Sequence, residues 1–437
     1  MAFAAGAQRA EWRQHWPIVF AAFVGFSFPV VPFLSLGLFL EPMGRELGWS
    51  RTLITAGGSL GAAIIIPLAP VFGAIVDRWG VRRVALPGFV VAIATMGTFG
   101  LADKSAALWL SWWGVYALST LALKSTVWTL AVSDFFTAGR SLAIAVVLSG
   151  SAFASMVAPP LVRWLIDSYG WREAYLYLAL FWGGATLLVN VFLLRDAPGR
   201  TRRPAPGGSV REPSAASTSS AAATSELQGL SVKEAMRSIP LIRIGLATLI
   251  ILVLGSTLTI HKVPILTAAG VSREMAANLA SLSGLAGIIG GITTGWLMQR
   301  FDAGWVGGLT NALMALALVL LLEPFRSPAS IVASMIVVGY AGGTKVEICA
   351  YLTTVYGGLR NYGKIFGVMA SIIAVSGAIA PTFGSLVYDL TGDYDLLILW
   401  GIPVSLISGL LLVRLGPFPE WSRAHEPGRR RRPALAE

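Results

Sequence analysis

Charged residues are scarce in this chain. They make up 13% of its 437 residues, while 55% are hydrophobic; an average soluble domain carries about 25% charge. That scarcity excludes an ordinary soluble fold. Cysteine is almost absent too. The one thiol, Cys349, lies inside an apolar run, so no intrachain disulfide can form and no redox compartment is indicated. A cleavable signal peptide is not expected: the opening apolar run, 16–40, is too long for a signal core, and no A-x-A site with a polar mature start follows it. The chain shows no Walker-type phosphate loop, nucleophile triad or cluster of metal-ligand residues. Nucleotide-driven transport, enzymatic catalysis, a bound metal and a cofactor are therefore not expected.

What is present is a series of long apolar runs. Broken at glycine, proline and charge clusters, they fall at 16–40, 52–76, 83–102, 107–132, 140–166, 173–194, 240–263, 275–298, 304–323, 328–355, 362–388 and 394–415. Most exceed the roughly 18 residues that mark a membrane-spanning helix. In lipid only helices and closed barrels satisfy the backbone, and runs such as 53–76 show none of the alternation a barrel strand needs. The expected fold is an all-α membrane protein of about twelve transmembrane helices. Between the sixth and seventh runs, 196–237 is rich in proline, serine, alanine and charge ("RTRRPAPGG", "PSAASTSSAAATS") and reads as a poorly ordered linker. The expected division is a six-helix half over 1–195, a linker over 196–239, a second half over 240–415 and a basic tail over 416–437.

The net charge of +11 does not indicate nucleic-acid binding, because the basic residues lie between apolar runs rather than on one soluble face. Arg9, Arg13, Arg78, Arg82, Arg83, Arg140, the linker cluster, Arg300, Arg360, Lys364 and the tail all fall on one side of a twelve-span topology. By the positive-inside rule both termini are cytoplasmic, in a multi-pass protein of an inner (plasma) membrane. The halves are also an internal repeat. Pro42, Gly48, Ser50 and Arg51 recur 222 residues later as Pro264, Gly270, Ser272 and Arg273, and Pro159, Asp167 and Gly170 recur as Pro381, Asp389 and Gly392. Parallel repeats of this kind place a substrate site between them near the midplane. One chain holding both halves is expected to work as a monomer.

The loop after the second run reads Gly73-Ala-Ile-Val-Asp77-Arg78-Trp-Gly80-Val-Arg82-Arg83. It resembles the major facilitator signature G-x-x-x-D-R-x-G-x-R-R, at the place that superfamily puts it. The resemblance implies two pseudo-symmetric six-helix bundles and a gating role for Gly73, Asp77, Arg78, Gly80, Arg82 and Arg83, with Arg140 as a partner for Asp77. The second copy has decayed to Gly295, Gln299, Arg300 and Asp302, so no gate role is carried to it. "LFLEPMGRELGWSRTLI", "LIDSYGWREAY" and "YLTTVYGGLRNYGKIFGV" resemble the monocarboxylate and oxalate/formate porter branch. An arginine usual in that branch's eighth span is missing here, as is a first-span lysine typical of lactate carriers.

Ionisable residues at membrane depth are costly and mark a pathway. They are Lys124 in the fourth run, Lys345 and Glu347 in the tenth, and His261 and Lys262 near the outer end of the seventh. Lys124 projects by the repeat onto position 346, between Lys345 and Glu347. Two lysines and one glutamate leave a surplus positive charge that a small organic carboxylate would balance. Lys124 and Lys345 are thus the expected substrate ligands, with Trp128 and His261 as further contacts. Glu347 is the expected proton-coupling residue, or a partner that neutralises a lysine. The function these residues suggest is secondary transport of a carboxylate anion by alternating access, coupled to protons. A drug or metabolite/proton exporter of the same superfamily is the alternative, and a transporter-like sensor a further one.

Overall fold

The computed structural model describes residues 2–133, 135–136, 139–196, 229–358 and 360–416. Among them the fold is helical, with one isolated bridge between Gly229 and Gly358. Twelve helical rods follow in order: α1 (Arg9–Leu47), α2 (Arg51–Trp79), α3 (Val81–Leu101), α4 (Ala106–Ser133), α5 (Arg140–Tyr169), α6 (Trp171–Leu193), α7 (Ile239–Ala268), α8 (Arg273–Arg300), α9 (Ala303–Val319), α10 (Pro328–Gly357), α11 (Tyr362–Thr391) and α12 (Asp395–Leu412). Eleven are long and apolar enough to cross a membrane, and α9 is a shorter apolar helix of 17 residues. Twelve crossings return the chain to the side on which it began. That side is called the near end below, and the opposite side the far end.

The repeat is visible in local chemistry. Ser50 caps α2 by accepting from the Leu53 N–H at 3.1 Å, and its equivalent Ser272 caps α8 by accepting from Met275 at 3.2 Å. The glycines before these caps, Gly48 and Gly270, take left-handed φ values of 71° and 84°, which a side chain would resist. At the third equivalent turn the halves diverge. Gly80 has φ 88°, whereas Asp302 has φ −60° and caps α9 through Trp305.

The ends of several elements differ from the sequence expectation. Helix α1 runs well past the expected 16–40, because its polar ends stay helical around an interruption at 28–30. Helix α9 stops at Val319, where the chain closes into tight turns through Leu321 N–H to the Leu318 carbonyl. The linker is not uniformly unstructured. Residues 197–228 lie outside the described residues, but Ser231 and Glu234 form a capping box and Leu230 donates to the Gly357 carbonyl at 2.9 Å.

The bonds between the two halves gather at the far end. Along α2 and α11, Thr55 donates to Ser385 at 2.9 Å and Thr382 to Ser59 at 2.6 Å, and the Arg51 and Thr52 N–H groups reach Asp389 at 3.1 and 2.7 Å. Along α5 and α8, Arg163 stands 3.6 Å from Glu274, and Arg273 stands 4.0 Å from Asp167. In the α1–α7 seam a Cβ on Gly37 would run into the Ile260 carbonyl. Without a hydrophobic force in lipid, such backbone-to-backbone contacts and polar bonds hold helices together. The far end is closed.

Candidate functional site

Helices α4 and α10 are both discontinuous, and at equivalent places. The α4 break falls at 122–124 and the α10 break at 343–344; position 122 projects by the repeat onto 344. A lysine stands at each break, Lys124 closing the first and Lys345 opening the half-helix Lys345–Gly357. In α10 the cause is local, since Gly342 and Gly343 weaken the helix there. The α4 break contains neither glycine nor proline. It is held by Trp128, whose indole N–H reaches back to the Leu123 carbonyl at 2.8 Å and so satisfies a group the break leaves free.

This corrects the expected role of Trp128. Its side chain is fully buried, packed over Gly25 of α1, where a Cβ would collide with the ring, and beside Phe89 at 5.7 Å between centroids. Trp128 shapes the break and does not line a binding space.

Lys345 is 4% exposed and lies against Gly255 of α7, where an added Cβ would overlap its ammonium. Among the described residues it makes no hydrogen bond and no ion pair. Glu347 does not neutralise it: two residues apart on a helix, the side chains diverge by about 200°, and Glu347 is on the exposed face. Lys124 is half-buried. Lys262, 7% exposed, lies two turns beyond Gly255 on the same face of α7 and likewise has no partner among the described residues. Buried cations without acids are expensive. The C-terminal bundle therefore carries two buried lysines with no acid paired to them among the described residues.

His261 belongs to a different structure, the far-end closure. Arg51 donates to the Tyr394 hydroxyl at 2.5 Å, which in turn lies 3.0 Å from His261 Nδ1. His261 Nε2 lies 3.4 Å from both the Pro381 carbonyl and Ser385 Oγ, and Ser385 accepts from Thr55. The Pro381 carbonyl can only accept, so the neutral imidazole that bonds it carries its hydrogen on Nε2 and leaves Nδ1 to accept the Tyr394 proton. The ring Arg51–Tyr394–His261–Ser385–Thr55 ties α2 to α7, α11 and α12. The sequence did not show it; the only signal was that Arg51 and Asp389 both recur in the repeat.

In the signature loop, Gly80 makes the turn between α2 and α3. Arg82 donates to the Val191 and Leu194 carbonyls at 2.7 and 2.6 Å, fastening the end of α6, and its N–H bonds Asp196 at 3.0 Å. Asp196, expected to begin the linker, caps α3 instead. Gly73, Arg78 and Arg83 are exposed, while the Asp77 and Arg140 side chains lie outside the described residues. Helix α8, which has no arginine between its two terminal residues, meets α10 backbone to backbone: a Cβ on Gly290 would run into the Tyr340 carbonyl, and one on Gly343 into the Gly287 carbonyl. No long side chain fits in that contact.

Two bundles related by a repeat, paired broken helices and unneutralised lysines at their breaks define a membrane carrier rather than an enzyme. The Major Facilitator Superfamily model matches residues 16–262 and 244–436. The chain belongs to that superfamily, and within it resembles the monocarboxylate transporters. It is 25% identical over 405 residues to monocarboxylate transporter 13 of Bos taurus, covering 90% of this chain and 87% of that one. It is 26% identical over 396 residues to monocarboxylate transporter 11 of Homo sapiens, covering 87% and 78%. Among solved structures, the nucleoside transporter NupG aligns with TM-score 0.73 at 12% identity, covering 92% of this chain and all of that one. A bacterial homologue of the human lysosomal transporter Spinster, inward-facing and unoccupied, aligns with TM-score 0.61 at 15% identity, covering 91% and 94%. At such identities the structures speak to the fold alone.

Proposed function

We propose that this chain is a secondary active carrier of small organic carboxylates, resident in an inner membrane with its near end cytoplasmic and driven by protons. The single observation that carries this reading is Lys345, buried against Gly255 on the first turn of a half-helix and without an acid. A half-helix N-terminus adds partial positive charge to the ammonium. A carboxylate bound there gains a charge-assisted hydrogen bond and removes the cost of an unpaired cation. Lys124 approaches from the other half when the bundles close around the substrate. Glu347 on the exposed face of the same half-helix takes and gives the coupled proton. The halves, 1–195 and 240–415, rock about this centre, and the signature loop with Asp77 and Arg140 sets their balance at the cytoplasmic end. The monocarboxylate names of the relatives point the same way.

The test is uptake by the purified protein in liposomes, using labelled acetate, pyruvate, benzoate and succinate, with and without an inward proton gradient. The expected result is gradient-driven accumulation of at least one monocarboxylate, lost in Lys345→Ala. Accumulation of uncharged or cationic compounds instead would sink the reading.

A further inference from the structure

At the far end, over the α1–α7 seam, lies a narrow cleft lined by Gly37, Glu41, Arg51, Pro264, Thr267 and Arg273 among others. Arg51 and Arg273 are repeat equivalents, one from the first residue of α2 and one from the first residue of α8. Neither is saturated. The Arg51 guanidinium lies over the Tyr388 ring, 3.4 Å from its centroid, and gives one hydrogen bond, to Tyr394. No carboxylate pairs with it among the described residues, because Asp389 is occupied by the Arg51 and Thr52 backbone N–H groups. Arg273 donates to the Leu38 carbonyl at 2.9 Å and stands a loose 4.0 Å from Asp167, which is held more closely by Arg163 at 2.7 Å. Glu41, the acid of the cleft, is paired with Arg45 at 2.5 Å.

A guanidinium has five donors in a planar fork that fits a carboxylate. Two such forks with donors to spare, on one cleft beside the seam that must open, make an anion site. We propose that Arg51 and Arg273 form an anion-capture site on the closed outer face, holding the substrate carboxylate before the halves part. This rests on the carboxylate reading of the central site. It also gives the outer arginines a use beyond fastening the two halves. The two roles differ in sign. Were Arg51 only a fastener, losing its bond to Tyr394 would populate the outward-open state and lower the outer KM. Losing a capture site raises it.

The experiment uses oriented liposomes holding full-length protein, with labelled pyruvate presented from the outer face. Arg51→Gln and Arg273→Gln should each raise the outer KM roughly tenfold, the loss of about one charge-assisted bond. The wild-type outer KM should rise with ionic strength more than that of either variant. An outer KM that falls or stays unchanged in both variants overturns the proposal. A second measurement does not depend on transport: phenylglyoxal modification of Arg51 and Arg273 from outside, mapped by mass spectrometry, in wild type and Lys345→Ala. Millimolar acetate or pyruvate should protect both arginines in both proteins. Protection without uptake of any carboxylate would end the central reading and leave the capture site standing; uptake that depends on Lys345 without protection would do the reverse.

Discussion

At the residue scale, the position of one ammonium depends on a neighbour with no side chain. Gly255 leaves the space in which Lys345 rests. Gly255→Ala should push the ammonium aside and cut carboxylate affinity at least tenfold while the protein still inserts and folds. Gly377→Ala in α11, where a Cβ meets nothing within 4 Å, serves as control and should bind as wild type does. Equilibrium binding to detergent-purified protein distinguishes the two, and equal affinities would show that Lys345 does not hold the substrate. Lys345 and Lys124 could be found in the sequence because charge is rare in apolar runs. Gly255 could not, since nothing in a run of small residues says which of them faces a lysine on another helix. Trp128 was misread for a related reason: nothing in the sequence says that its indole turns back to the Leu123 carbonyl of the break and packs over Gly25.

At the element scale, the α1–α7 seam acts as a door because it is flat. Gly37 packs on the Ile260 carbonyl, and on the α5–α8 side a Cβ added to Gly284 would stand 3.2 Å from the Ser155 carbonyl oxygen. A methyl at Gly37 has nowhere to go while the far end is closed. Gly37→Ala should therefore shift the carrier toward its outward-open form. A cysteine placed on the outer half of α7 should react faster with an impermeant maleimide in that variant than in wild type. Unchanged reactivity would show that the seam tolerates the methyl and does not govern closure. The break in α10 was readable from Gly342 and Gly343. That in α4 was not, for its carbonyl is satisfied by a side chain from the next turn, which no local propensity encodes.

At the scale of the whole molecule, the repeat was the most legible feature. Its helix caps recur where a spacing of 222 puts them, and Lys124 projects to within one residue of Lys345. What the repeat could not show is that its copies meet: the Arg51 backbone N–H of one half bonds Asp389 of the other, and the Arg273 guanidinium lies beside Asp167, so equivalent residues pair across the halves through different groups. The exposed face of the α10 half-helix carries the proposed coupling group. Glu347→Gln should abolish proton-driven accumulation yet spare substrate-for-substrate exchange, both measured in one liposome preparation; loss of both would make Glu347 a structural residue. The central claim is that Lys345 binds a carboxylate, and the most direct measurement compares a transported carboxylate with its uncharged amide on wild type and Lys345→Ala. Wild type should prefer the carboxylate about tenfold to a hundredfold, corresponding to about 1.5–3 kcal/mol for a charge-assisted hydrogen bond, and the variant should lose that preference. A variant that still discriminates as wild type does would contradict the account.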